Sequence, residues 1–401
     1  MAGPANKKPF GAYLEMMVVR GMILAAAAAL LATGSGPAAL GGSPESRVLW
    51  QGPVFAGAAV VWGEETAGTG SLHLWTSGRA RIIYRSKSLA LTGALAASHT
   101  LLAFERSYPS CAPQPNVVCP QAQDALVGPP TGPFRMLVRP RTCSSANVGD
   151  AVALDGGVAA YFELDCERNR LQVVARDVVH DGRPVVLHDG FASDGCCRGI
   201  AIAGRYVAWS NDRRGEVVVY DRLAHRLVYR VRVGGGNGAS ELGFDLQRDG
   251  KIAVAYRPLG SPGTRTVTIA WFSPATKRPH VLALRGADTR IRIADDHIAL
   301  ERYLSPKRSA LVVAGLGGGM QTVARFASPF RLRSGFDFDG RRIVWASDRV
   351  TATRVDCPPP GQGRPCVRVE SGTTTLRLRV LSGGAPLAID RLAFVDTVAQ
   401  G

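Results

Sequence analysis

Asp245 and Asp337 each end a Gly-Phe-Asp triplet, begun by Gly243 and Gly335, at the start of an apolar run that reads as a β-strand. Carboxylates at one position of a repeated unit can face a common axis, where they would bind a cation or a polar ligand. The competing use is structural, since an Asp at a strand start also caps a turn or pairs with a neighbouring Arg. Carboxylate pairs that cleave glycosides stand roughly 5 to 9.5 Å apart. The fold alone sets that separation.

Other chemistries are poorly supplied. No G-x-S-x-G nucleophile elbow occurs, and no alternating strand–helix segment would carry one. The glycine runs at 234–238 and 315–319 lack the Lys-Ser/Thr ending of a phosphate loop and read as strand connections. Seven His are scattered, and His180 and His188 are the closest functional-looking pair. The cysteines lack the paired C-x₂-C or His spacing of a zinc site. Neither a metal nor a cofactor is expected.

The elements that would position Asp245 and Asp337 are written in a repeat. Eight times after Val54 the chain gives a short apolar run, a tight turn and a second run ending near an aromatic. Examples are IAIAGRYVAW from Ile200, IRIADDHIAL from Ile291, FDFDGRRIVW from Phe336 and LAIDRLAF from Leu387. A period of roughly 45 residues built from hairpins marks an all-β fold of radially repeated blades, a β-propeller. Asp155-Gly156, Asp249-Gly250 and Asp339-Gly340 supply the positive φ of tight hairpins. Trp62, Trp209 and Trp345 recur at equivalent places, which points to packing between blades. Asp177, Asp221 and Asp348 read as residues that close strand hairpins.

Eight blades are favoured, with seven as the alternative. The eighth would join the hairpin of Leu387 to Phe394 to an outer strand at 46–50, so that both termini close the ring. Blade two carries an insertion at 108–133, followed by its third strand at 134–139, and its fourth strand is hard to find. Blade seven carries a second insertion at 351–366. Residues 1–43 have the basic, apolar and small-residue grammar of a secretory signal, with an uncleaved anchor as the alternative, which leaves 44–401 as a single propeller domain. The apolar run from Met22 is too short to span a bilayer. All eight Cys lie downstream of it, as suits an oxidising compartment. Cys111 with Cys119 and Cys357 with Cys366 bracket proline-rich loops and are expected to pair. Partners for Cys143, Cys166, Cys196 and Cys197 stay open.

The net charge of +16 comes from 42 Arg against six Lys, spread along the whole chain at alternating strand positions. A nucleic-acid binder concentrates charge on one element and interleaves aromatics there, so a solvated face is the better reading and no nucleic acid is expected.

The phrases FDLQRDGKIAVAY and FDFDGRRIVW, followed by SPATKR and SDR, resemble the TolB-like and WD-repeat-like propellers of bacterial exported proteins. That resemblance implies a ring that binds proteins or ligands on its faces, and it carries over no catalytic residue. The resulting expectation is a secreted or envelope-bound, monomeric, non-catalytic binding or scaffolding module, whose partner is a protein or envelope component held by the face loops. The alternative is a glycan hydrolase or lyase acting in the central funnel. The enzyme reading requires carboxylates, His or Tyr from several blades to converge on the channel, whereas the binding reading requires a channel of small apolar side chains.

Overall fold

The structure is a computed structural model that describes residues 47–66, 69–86, 94–109, 121–141, 152–165, 167–168, 170–191, 196–211, 214–233, 239–258, 267–276, 278–357 and 366–399. These form an all-β propeller of seven four-stranded units. The first is β1 (Val48–Ala56), β2 (Ala59–Thr66), β3 (Thr69–Thr76) and β4 (Arg79–Ser86). The second is β5 (Leu95–Ala97), β6 (Leu102–Pro109), β7 (Gln121–Gly128) and β8 (Arg135–Arg141). The third is β9 (Val152–Asp155), β10 (Val158–Asp165), β11 (Arg170–Asp177) and β12 (Val185–Phe191). The fourth is β13 (Cys196–Ala203), β14 (Tyr206–Asn211), β15 (Glu216–Asp221) and β16 (Arg226–Arg232).

Blades five and six share one seven-stranded sheet: β17 (Ala239–Leu246), β18 (Ile252–Pro258), β19 (Val267–Phe272), β20 (His280–Ala294), β21 (His297–Ser305), β22 (Arg308–Gly315) and β23 (Met320–Ala327). The long β20 serves as outermost strand of blade five up to Gly286 and, past a register shift, as innermost strand of blade six from Ile291. Blade seven is β24 (Phe330–Phe338), β25 (Arg342–Asp356), β26 (Val367–Val380) and β27 (Leu387–Ala399). The innermost strands touch in sequence around a closed circle, from β1 through β5, β9, β13, β17, β20 and β24 back to β1.

Eight blades were favoured with seven as the alternative, and the described residues form seven. The stretch expected as an eighth hairpin is one strand, β27, and Asp390 and Arg391 make no turn there. They continue the ladder onto Leu376 and Thr375. At the other end, Val48 and Leu49 are no outer strand, since they open innermost β1 and pair with Glu65 and Glu64. Blade two also differs. Gln121–Gly128, read as insertion, is its third strand, and the stretch expected as the third is the fourth. Ala125, Leu126 and Val127 are buried there, and that short apolar run is what places the strand.

Blades pack face to face, and each recurrent Trp sits in such a seam. Trp62 packs with Val344, Ala346 and Leu392 of blade seven, Trp209 with Ala160 and Phe162 of blade three, and Trp345 with Leu311 and Phe326 of blade six. Gly156, Gly250 and Gly340 adopt φ of 56°, 84° and 91°, as their hairpins require. In blade seven, β25, β26 and β27 run beyond the ring as an arm whose tip is joined by the Cys357–Cys366 disulfide. The expected Cys111–Cys119 pair and the 1–43 signal segment lie outside the described residues.

Candidate functional site

The register of the innermost hairpins puts seven residues at equivalent places on the channel wall. Val54, Ala96, Ala153, Ala201, Asp245, Arg292 and Asp337 each sit opposite a buried Val or Ala of the second strand of their own blade. All seven line a central cavity of about 550 Å³. Four consecutive blades therefore contribute small apolar side chains, and the next three contribute Asp, Arg and Asp. Asp288, Arg290 and Arg333 extend the charged sector on the same side of the ring.

The Gly-Phe-Asp triplet explains how the two carboxylates are held. A Cβ at Gly243 would overlap the carbonyl oxygen of Thr289, and one at Gly335 would overlap that of Gly52, so only Gly lets the neighbouring innermost strand come so near. Phe336 is buried in the seam behind the wall, and Phe244 is half-buried against its own seam. The Asp then reaches across. Asp245 Oδ2 accepts the Ile293 N–H at 2.9 Å, and Asp337 Oδ2 accepts the Phe55 N–H at 2.8 Å. Each carboxylate thus ties its blade to the next, five to six and seven to one.

Arg292 stands between them. Its Nε donates to Asp337 Oδ1 at 3.1 Å, and its guanidinium also attracts Asp245. Asp245 keeps part of its surface on the cavity and is packed by protein elsewhere. Burial pushes its carboxyl up to about 6. Arg292 and the N–H groups of Ile293 and Leu246 pull it part of the way down, and the Asp337 charge adds to the rise. In a linked system this has a definite sign. Between an unfolded value of about 3.9 and the folded value of about 6, the folded state binds more protons, so this residue's contribution to stability falls as pH rises through that window. The difference in unfolding free energy between wild type and Asp245→Asn should drop by up to about 3 kcal/mol from pH 4 to pH 6.5 and then level off. Urea unfolding at a series of pH values reads it, and a difference that stays flat would mean Asp245 is an ordinary carboxylate.

The remaining candidates are placed elsewhere. His180 is exposed and bonded to Asp177, and His188 stacks on Trp209, so the pair forms no metal site. Among the described residues no group of three His, Cys, Asp or Glu could hold a metal ion. Asp177 and Asp221 do close hairpins, accepting N–H groups from His180 and from Leu223 and Ala224. Asp348 does not. It is buried among Arg331, Arg333 and Thr374. One Ser–His–Glu set exists in blade one, yet Ser71 Oγ and Glu64 Oε2 both approach the same His73 nitrogen, at 3.0 and 3.5 Å. A relay needs the two ring nitrogens to face different partners. Burial lowers the His73 pKa, outweighing its attraction to Glu64, whose oxygens are taken by Arg47 and Trp62. This cluster is structural.

No protein-family model matches the sequence, and no curated protein matches it. Solved structures share the fold. A prolyl endopeptidase, from a study of two such enzymes, is similar over 84% of this chain at 14% identity with a TM-score of 0.50, and this chain covers 54% of its length. A puromycin-hydrolysing peptidase of Mycobacterium tuberculosis is 14% identical over 80% of this chain, TM-score 0.43, with 58% of its own length covered. The β-propeller domain of the Trilobed protease of Pyrococcus furiosus is 9% identical over 75% of this chain, TM-score 0.44, with 95% of its length covered. This chain thus spans a little over half the length of the two complete peptidases it resembles, and at these identities the likeness is one of fold. The expectation of a non-catalytic binding module is corrected. The similar prolyl endopeptidase is a hydrolytic enzyme, and the channel carries charged groups from three blades where that module required small apolar ones.

Proposed function

We propose that the chain is a hydrolase-type propeller, cleaving or helping to cleave peptides, with its substrate received in the charged sector of the central cavity. The observation that carries this is the Asp245–Arg292–Asp337 row, set on three consecutive blades in a ring that is otherwise apolar at that level. Hydrolysis needs a proton donor for the leaving group, a proton acceptor for water and a positive group for the developing oxyanion. Asp245, with its carboxyl raised to about 6, is the donor. Asp337 accepts the proton of the attacking water, and the Arg292 guanidinium bonded to it lies against the oxyanion. The water oxygen bonds to the carbonyl carbon, the C–N bond breaks, and the leaving nitrogen takes the Asp245 proton. Two carboxylates in unlike environments are the pattern for such a division of roles.

The similarity to prolyl endopeptidases supports a peptide substrate by analogy of fold. The same carboxylates would also serve a glycosidic bond, so the test includes both. The repeat phrases support a TolB-like and WD-repeat-like assignment. The N-terminal grammar and the cysteines support export of the chain.

The full chain should hydrolyse members of a panel of internally quenched peptides and fluorogenic glycosides. Asp245→Asn keeps an oxygen for the Ile293 N–H, so it should retain the fold while losing on the order of 10²-fold or more in kcat. Asp337→Asn should lose a similar factor. Turnover that survives both substitutions would remove the cavity from the reaction.

A further inference from the structure

We infer that the cleft between blades six and seven is a docking site for an extended, acidic peptide segment. The inference stands apart from the central cavity and needs none of its residues. β25 pairs with β24 only inward from Arg349, and the last backbone bond on that side runs from Val350 N to Pro329 O at 3.0 Å. From Ala352 to Asp356, β25 is paired with β26 on one side, and no described strand pairs with its other side. The start of that open edge, Ala352 and Thr353, lines a cleft of about 840 Å³ together with the β21–β22 turn of blade six. Ligand clefts run roughly 300 to 1,000 Å³. An unpaired strand edge offers a row of N–H and C=O groups to an incoming extended chain, which binds by adding a strand.

Charge selects the partner. The cleft holds Glu301, Lys307, Arg308, Arg331, Arg368 and Glu370, four cations against two carboxylates. Glu370 is already engaged by Arg331 and Arg368, and Arg331 also reaches Asp348. Burial raises the Glu301 pKa, which weakens its claim on any cation. Lys307 and Arg308 stand exposed at the mouth and pair with no described residue. Phe330, 45% exposed, adds an apolar contact beside them, with the Arg349 guanidinium 5.8 Å from its ring. A second copy of this chain is a poor occupant, because the one carboxylate on its own open edge, Asp356, is already paired with Arg354 at 3.2 Å and brings no free negative charge to the same cations. An acidic segment is complementary.

The test uses the full-length chain and a fluorescein-labelled peptide alternating Glu with Val, followed by fluorescence anisotropy. Binding should exceed that of the Gln-for-Glu peptide, and the double variant K307E/R308E should bind roughly tenfold or more weakly. Because the whole protein is strongly basic, the double reversal R168E/R183E at two exposed positions of blade three, which shifts the net charge by the same amount, is the charge control and should leave binding unchanged. Backbone N-methylation of the peptide at alternate residues should abolish binding by blocking strand addition. Equal losses in K307E/R308E and R168E/R183E, equal affinity for the Gln peptide, equal affinity for the methylated peptide, or no binding at all would each overturn the inference. Lys307 lies on the turn and Arg308 opens β22, both side chains exposed, and an unchanged Tm shows that the fold is intact.

Discussion

Gly335→Ala should lose about 3 kcal/mol or more of stability, read as a fall in Tm of roughly 4 °C for a domain of this size. The added methyl would overlap the Gly52 carbonyl oxygen and lie 2.8 Å from its carbon, with Pro53 at 3.2 Å. All three are backbone or ring atoms, so no side chain can swing away and blades seven and one must part. This seam joins the last blade to the first, and its latch is the Asp337 to Phe55 bond. Parting it removes that bond and shifts Arg292 from its partner. Activity should therefore fall along with stability. A Gly335→Ala protein that melts like wild type would show that the close approach is not needed.

Asp348→Ala should cost about 3 to 5 kcal/mol, the usual penalty for removing one partner of a buried ion pair. Asp348 is 1% exposed and receives Arg331 at 3.3 Å, Arg333 at 3.1 Å and the Thr374 hydroxyl at 2.7 Å. Glu370 still engages Arg331, but Arg333, with a side chain 10% exposed, loses this carboxylate. Arg333 also lines the central cavity, so the loss propagates to the charged sector. Asp348→Asn keeps one acceptor oxygen, which can serve the Arg side or Thr374 but not both, since they use different carboxylate oxygens, and it should cost less than Ala. Equal losses for Ala and Asn in chemical denaturation would assign the effect to the charge alone, and no loss in either would dismiss the cluster as a stabilising element.

Much of the ring was legible because blades are built from short local hairpins. The hairpin IAIAGRYVAW stands as the pairing of β13 with β14, and Trp62, Trp209 and Trp345 marked the seams. The blade count was not legible. Leu387 to Phe394 carries the same apolar rhythm as an inner hairpin, and only its pairing with β26 along its whole length, through one register shift, shows it to be one outer strand. In blade two, Cys and Pro around Gln121 to Gly128 masked a strand whose apolar run, Ala125 to Val127, is short.

Asp245 and Asp337 were found from the sequence, and both reach the cavity wall. Arg292 was missed, since an Arg in an alternating strand reads as a solvated face. Its signal lay in the repeat itself: aligning IRIADDHIAL with FDFDGRRIVW sets Arg292 at the place of Asp337. The latch bonds were invisible, because the N–H groups they use belong to other blades.

The pH dependence of turnover, measured on wild type and Asp245→Asn with the same substrate, tests the proposed chemistry most directly. A proton donor raised to about 6 predicts a wild-type rate that declines as pH climbs past that value. In Asp245→Asn the rate should be lower at every pH below about 6, with that declining limb gone. A wild-type profile without such a limb, or one that Asp245→Asn leaves in place, would contradict the assignment of the cavity carboxylates to the reaction.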